Sequence, residues 1–334
     1  MRTAVIICLL AIISLTVTGA DITFNVLYPA AVQVDQKIKK IALIDRSLSS
    51  DKKSNIIEGI LTGEGIGQDK LSSQIALDGM MSILQSSARY EVIRTPEVMK
   101  TNASGGQLPE PLSWQEIVRL CSKYRVDAIV SLETFDSDYI ITPAKKIGES
   151  GFSAKGSAVI HLGFRMYNPK NKSIADQLYY DHRMNWSATK PSITEAAGAL
   201  IDKNSAIKEV SYAAGCKYAR RISPSYYKVT REYFKRGKKD DDLAEGARMM
   251  EANDWKQAIT ALERSILNGH KKSKGKAAHN LAVVYEIIGD LERSKKYATM
   301  AWGKYKNKPS KDYAYQITKR MNQQFVLDEQ LGMR

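Results

Sequence analysis

From residue 38 onward the chain alternates short apolar runs with stretches in which apolar positions recur at helical spacing, the pattern of an α/β or α+β layered domain. Residues 38–45 (IKKIALID) predict a short buried strand. Leu71, Ile75, Met80 and Leu84 then fall close to one helix face, after a glycine-rich loop at 63–67. Residues 90–93 predict a strand ended by Pro96. Ser113, with Glu116 three positions on, has capping-box spacing before Ile117 and Leu120, so a helix starts there and leads into a strand over 126–134. Residues 157–167 and 173–186 flank an Asn168-Pro169-Lys170-Asn171 turn and predict a long antiparallel hairpin. Ser192 opens a helix reaching about residue 222, interrupted near Asn204; Pro224 stops it, and residues 226–234 return as an edge strand. Together these elements predict a domain over 21–236 with a mixed sheet and a long hairpin, followed by a polar hinge at 237–242.

Beyond 243 the period changes. An offset of 36 residues superimposes Ala258 on Ser294, Gly246 on Ala282, Met249 on Tyr285, Leu262 on Ala298 and Ser265 on Ala301. Such a spacing of small residues describes paired helices, because axes about 8 to 10 Å apart leave no room for a large side chain at the crossing. Residues 280–301 (NLAVVYEIIGDLERSKKYATMA) resemble a tetratricopeptide repeat, with Gly289 at the turn between helices, and residues 246–266 are a looser copy. Residues 243–334 are therefore expected to form a short all-α repeat domain. Two repeats leave apolar faces uncovered, which predicts a closing helix over 311–327. On this reading the concave face takes a peptide or helix of a partner protein, and Arg248, Asn280 and Val283 line it.

Composition enlarges the picture only at the ends. With 43% hydrophobic and 26% charged residues over 334 positions, the chain is of ordinary globular type, which excludes collagen, extended disorder and a multi-span membrane protein. Residues 1–20 carry a positive start, an apolar run and small residues before Asp21, the order of a secretory signal peptide. An uncleaved anchor is the alternative. Cys8 lies inside the apolar run and not at its end, so it is not placed for lipid attachment. The expected location is the periplasm or the periplasmic face of the outer membrane, with the cell surface as a further option. Cys121 and Cys216 are then read as two buried thiols, with a disulfide as the rival reading.

The segments PAAVQVDQKIKKIALIDRS (29–47), ILTGEGIGQDK (60–70) and DAIVSLETFDSD (127–138), with the leader and the repeat tail, resemble an uncharacterised family of Bacteroidota envelope proteins. More distantly, the first domain is similar to the α/β domain of curli-secretion lipoproteins and the TolB amino-terminal domain. The resemblance implies envelope assembly or scaffolding and carries no activity with it.

Candidate chemistry is sparse. Gly63, Gly65 and Gly67 lie some twenty residues past the first strand and lack a following Gly-Lys-Ser/Thr, so they do not fit a nucleotide loop. Of the four histidines, only His161 and His182, on the two hairpin strands, are placed to face each other, and a metal there needs a third ligand such as Asp181 or Glu133. No catalytic motif, metal site or cofactor is predicted. Asn102, Asn171 and Asn185 open Asn-x-Ser sequons, read as chance.

Charge is the informative feature. The formal net charge is +14, and residues 203–239 hold eleven basic and two acidic residues. Lys217, Arg220, Arg221, Lys228, Arg231, Lys235 and Arg236, interleaved with tyrosines, form a candidate basic patch for anionic lipid, glycan or an acidic partner; export sets nucleic acid aside. Three readings follow: an exported envelope adaptor that binds a protein partner, a polyanion or membrane-surface binder, and a ligand-binding or hydrolytic pocket beside the hairpin.

Overall fold

The computed structural model describes residues 19–49, 68–87, 89–101, 107–146 and 151–333. The apolar leader up to residue 18, the glycine cluster at 63–67 and Asn102 lie outside them. The chain forms two compact units, Leu27–Ser225 with Val326–Arg334, and Tyr226–Phe325 with the described residues up to Val26.

The first unit is built on a five-stranded mixed sheet of β2 (Lys40–Ser49), β3 (Glu91–Thr101), β4 (Ala128–Lys146), β5 (Phe152–Asn168) and β6 (Ser173–Lys190), in the order β3-β2-β4-β5-β6. β2 runs parallel to β3 and β4, whereas β4, β5 and β6 are antiparallel. The two-residue period of a strand divides the core into two layers. Ile41 and Leu43 pack with α1 (Gln68–Gln85) and α4 (Lys203–Ile222). Ala42 and Ile44 pack instead with Ile117, Leu120 and Cys121 of α2 (Trp114–Tyr124). Ser113 accepts from the Glu116 N–H, the cap its spacing predicts. A short α3 (Ile193–Gly198) precedes α4, capped by Ser192.

Two glycines set the distance between α1 and α4. A Cβ on Gly215 would overlap the Ala76 carbonyl, and one on Gly79 would overlap the Tyr212 carbonyl. In return, the Cys216 thiol donates to the Gly79 carbonyl at 3.2 Å. Both Cys121 and Cys216 are buried and free, in different core layers, so the thiol reading holds and the disulfide does not.

Several strands outrun their sequence signals. β3 continues through Pro96 because it is the outermost strand, where a missing N–H costs little, and a register shift between Leu43/Arg94 and Asp45/Val98 takes up the proline. β4 runs twelve residues past Thr134, paired with β5 as far as Lys146/Phe152.

The second unit holds β1 (Gly19–Tyr28) and β7 (Ser225–Phe234), joined in a two-stranded sheet, and a series of helices. β7 is therefore a strand as expected, but its partner is β1, in a two-stranded sheet of their own. The helices are α5 (Asp241–Glu251), α6 (Trp255–Asn268), α7 (Lys271–Ile287), α8 (Leu291–Gly303) and α9 (Pro309–Leu331). The 36-residue offset is visible in detail. Asn253 and Gly289 occupy equivalent turns, both with positive φ (58° and 85°), and the next residues, Asp254 and Asp290, both cap the following helix. At the crossings, Gly246 lies against Leu262 and Ala258, while the Ser294 hydroxyl donates to the Ala282 carbonyl at 2.7 Å.

Candidate functional site

The helical unit grips an extended strand, and the strand is its own. The Asn280 side-chain amide accepts from the Phe234 N–H and donates to the Phe234 carbonyl, both at 2.8 Å. One turn earlier on α7, Lys276 donates to the Arg236 carbonyl at 2.9 Å, and His279 reaches the Glu232 carbonyl at 3.1 Å. These positions share one face of α7 and hold the backbone of β7 and of the residues just after it, while His279 and Lys276 also meet the Phe234 ring. Tyr233 of β7 and Ala20 and Ile22 of β1 complete the apolar core of the unit. Asn280 and Val283 consequently have no exposed surface, which corrects their expected place on an open groove; Arg248 remains exposed on α5. The signal for this contact was in the sequence: a polar Asn280 at an otherwise apolar helix position needs partners when buried.

Beneath the strand sits an ionic cluster. Glu286 is fully buried; Arg231 of β7 bonds it at 2.8 and 2.9 Å, Arg320 lies 3.5 Å away, and the Tyr313 hydroxyl donates at 2.6 Å. The Arg231 guanidinium also stands over the Phe24 and Tyr313 rings. Burial, with Glu286 beside it, pushes the Tyr313 phenol well up. The adjoining His279 is held near 4 by burial, so it is neutral at ordinary pH, with Nδ1 against the Ser310 hydroxyl at 2.9 Å.

In the sheet unit the hairpin histidines do not meet. The register pairs His161 with Asp181 and His182 with Ile160, and adjacent pairs face opposite sides of a sheet. His161 bonds Asp181 at 2.7 Å and lies 3.5 Å from Asp138. His182 lies on the Ile160 face, where burial lowers its pKa and Lys217 adds to the effect. Glu133, the other proposed third ligand, is fully buried and holds Arg46 and the Tyr167 hydroxyl, each at 2.7 Å. Burial, with Glu133 next to it, pushes the Tyr167 phenol up to about 12. Among the described residues no group of three His, Cys, Asp or Glu is placed to hold a metal ion.

A cleft of about 440 Å³ opens where the end of α2 meets the hairpin turn, lined by Lys37, Cys121, Ser122, Asp127, Asn168 and Lys170 among others. Its polar groups are largely spoken for. Asp127 accepts from the Lys39 and Lys40 N–H groups at 2.9 and 2.8 Å, and Asn168 accepts from the Lys170 N–H. Burial, aided by Asp127, pushes the Cys121 thiol up to about 11, so it is the neutral thiol and not the nucleophilic thiolate.

The candidate basic patch divides. In the sheet unit, Arg221 makes a two-point bond to Asp176 at 2.9 Å, Lys217 stands 4.8 Å over the Tyr180 ring, and Arg220 is half-buried on α4. In the helical unit, Arg231 is committed to Glu286 and Lys235 to Glu251 at 2.7 Å, whereas Lys228 and Arg236 are exposed. Three of the seven predicted patch residues, Arg221, Arg231 and Lys235, are thus paired with carboxylates.

The molecule is of a defined architectural class, a mixed-sheet α/β unit joined to a helical-hairpin unit. The chain belongs to the family described as domain of unknown function DUF8603, whose model matches residues 38–234. A second model, domain of unknown function DUF6340, matches residues 244–324. No curated protein matches. Solved structures similar to parts of the chain include a neuraminyllactose-binding hemagglutinin homolog from Helicobacter pylori (12% identity, 57% of this chain, 87% of that one, TM-score 0.27). Another is the hypothetical protein CT253 from Chlamydia trachomatis (13% identity, 55% of this chain, 98% of that one, TM-score 0.25). A third is lipoprotein GNA1162 from Neisseria meningitidis (12% identity, 44% of this chain, 83% of that one, TM-score 0.18). Scores at this level assign no shared fold. Among the described residues no helix is long and apolar enough to cross a membrane.

Proposed function

We propose that this protein is an exported adaptor of the bacterial cell envelope that binds a protein partner through its helical unit and catalyses no reaction. Export rests on the leader pattern of residues 1–20 and the Bacteroidota-like envelope segments. The observation that carries the binding reading is the β1–β7 ribbon. One edge of β7 is held at Phe234 by the Asn280 amide and its other neighbour is β1, while β1 pairs only with β7 among the described residues. The tetratricopeptide-like helices thus serve as a platform that presents β1 as an open edge, and an edge is a template for an extended segment of another chain. Here the partner adds beside β1, and α7 is occupied by the protein's own strand. A photo-reactive residue at the exposed Asn25 of β1 should capture one envelope protein reproducibly in intact cells, while the same group at the exposed Val118 of the sheet unit should not. Equal capture at both positions, or none at Asn25, removes the proposal.

A further inference from the structure

A second surface of the helical unit has a chemistry of its own. The turn after β7 and the junction of α6 and α7 lie together: Gly237 is pressed against Ser273, and the Lys276 ammonium donates to the Arg236 carbonyl. This brings Arg236, Lys238 and Lys239 of one segment beside Lys271 and Lys272 of the other, all exposed. None of the five forms an ion pair among the described residues, unlike Lys235, which holds Glu251. The nearest acid in sequence, Asp240, is turned inward, accepting from the Leu243 N–H and the Ser265 hydroxyl. In the next turn Asp242 is bound to Arg264, and Asp241 belongs to the capped start of α5.

The same junction carries an exposed apolar side chain, since Gly269 of the α6 end lies against Asp240 of the β7–α5 turn. Leu267, at the end of α6, is 74% exposed, and the Lys274 ammonium donates to its carbonyl at 2.8 Å. His270 offers no side-chain cap to α7, whose first turn is basic and without acids. Basic groups there oppose the helix dipole, so the arrangement favours an anion in front of it.

We propose that this loop surface, which carries Leu267 together with Arg236, Lys238, Lys239, Lys271 and Lys272, docks on an anionic lipid bilayer. A polyanion or an acidic peptide would use the same charges but has no use for an aliphatic side chain standing nearly free in water. At a bilayer the leucine enters the acyl boundary while the lysines stay at headgroup level. The proposal rests on the export reading and is independent of the partner strand, because the surface lies on the α6–α7 junction.

The test is co-sedimentation of the full-length mature chain with phosphatidylcholine vesicles containing about 30% phosphatidylglycerol, against pure phosphatidylcholine vesicles. The wild-type chain should bind the anionic vesicles and lose most of that binding as salt rises from about 0.1 to 1 M. Lys238→Glu with Lys239→Glu, Lys271→Glu and Lys272→Glu should lower partitioning by roughly 30-fold or more. Leu267→Asn, a surface change that leaves the fold intact, should lower it roughly fivefold with the charges untouched. Absence of binding to the anionic vesicles, unaltered binding by the quadruple variant, or unaltered binding by Leu267→Asn together with full competition by polyglutamate would overturn it. Photo-capture at Asn25 reads the protein partner alone, so failure of either reading leaves the other standing.

Discussion

At the scale of single residues, the ionisable groups of this protein are spent chiefly on its own architecture. Glu286 is a buried carboxylate bonded by Arg231 and 3.5 Å from Arg320, with Tyr313 donating to it. Replacing Glu286 with Ala would remove the carboxylate that Arg231 bonds at 2.8 and 2.9 Å, and the cost of breaking a buried pair is about 3 to 5 kcal/mol. Urea unfolding followed at the helical unit should show that loss, and Glu286→Gln, which keeps an acceptor, should lose less. His279 gives a pH signature. Its folded pKa, about 4, lies below the ordinary histidine value of 6.5, so the unfolded chain binds the extra proton first. Stability from this group is complete above pH 6.5 and falls as pH drops from 6.5 toward 4, by of the order of 3 kcal/mol. Thermal melts across that window should fall less steeply for His279→Gln than for the wild type. These roles were only half visible in the sequence. A histidine, an asparagine and a glutamate at 279, 280 and 286 of an otherwise apolar helix announce buried polar positions, but the partners Glu232, Phe234 and Arg231 lie more than forty residues away and no local pattern names them.

At the scale of elements, local rules did well wherever the determining contacts are local. The caps of Ser113, Ser192, Asp254 and Asp290 are short-range chemistry, as are the left-handed turns at Asn253 and Gly289, and each can be read directly from residue type and spacing. The long hairpin was legible for the same reason, whereas the last twelve residues of β4 were not, because their strand state is imposed by pairing with β5. His161 and His182 show how one step of register overturns a site: both strands were found, yet the pairing puts the two rings on opposite faces. The α1–α4 crossing yields a sharp prediction. A methyl group at Gly215 has no space against the Ala76 carbonyl, and it cannot be relieved by turning a side chain. Gly215→Ala, although it improves helix propensity, should destabilise the sheet unit by about 2 kcal/mol or more, as overpacking of a close crossing does. Gly198→Ala, where nothing lies within 4 Å of the added carbon, is the control and should leave the melting temperature almost unchanged.

At the scale of the whole molecule, neither unit is a continuous piece of chain, and this decides what a fragment can do. The sheet unit takes in the last turns of α9: the Gln330 side chain accepts from the Ala30 N–H at 2.7 Å and donates to its carbonyl at 2.9 Å, and Arg89 reaches the Gln330 carbonyl. The helical unit takes in β1, whose Ala20 and Ile22 pack on its core. A boundary read along the sequence, at 236 and 237, follows the change of periodicity, while the Cα packing divides the chain between Ser225 and Tyr226. Periodicity reports which elements form, and strand exchange between ends of a chain leaves no mark on it. A fragment of residues 226–325 therefore has the helices without the strand that closes the ribbon, with the β7 edge that β1 covers now bare. It should melt well below the helical unit of the full chain and self-associate through that edge. Adding a synthetic peptide of residues 21–28, the part of β1 that remains after a leader of residues 1–20, should restore a single cooperative transition and a monomeric sedimentation profile. If the fragment is already as stable and monomeric without the peptide, β1 is dispensable to the unit, and the open edge proposed to receive a partner loses its structural basis.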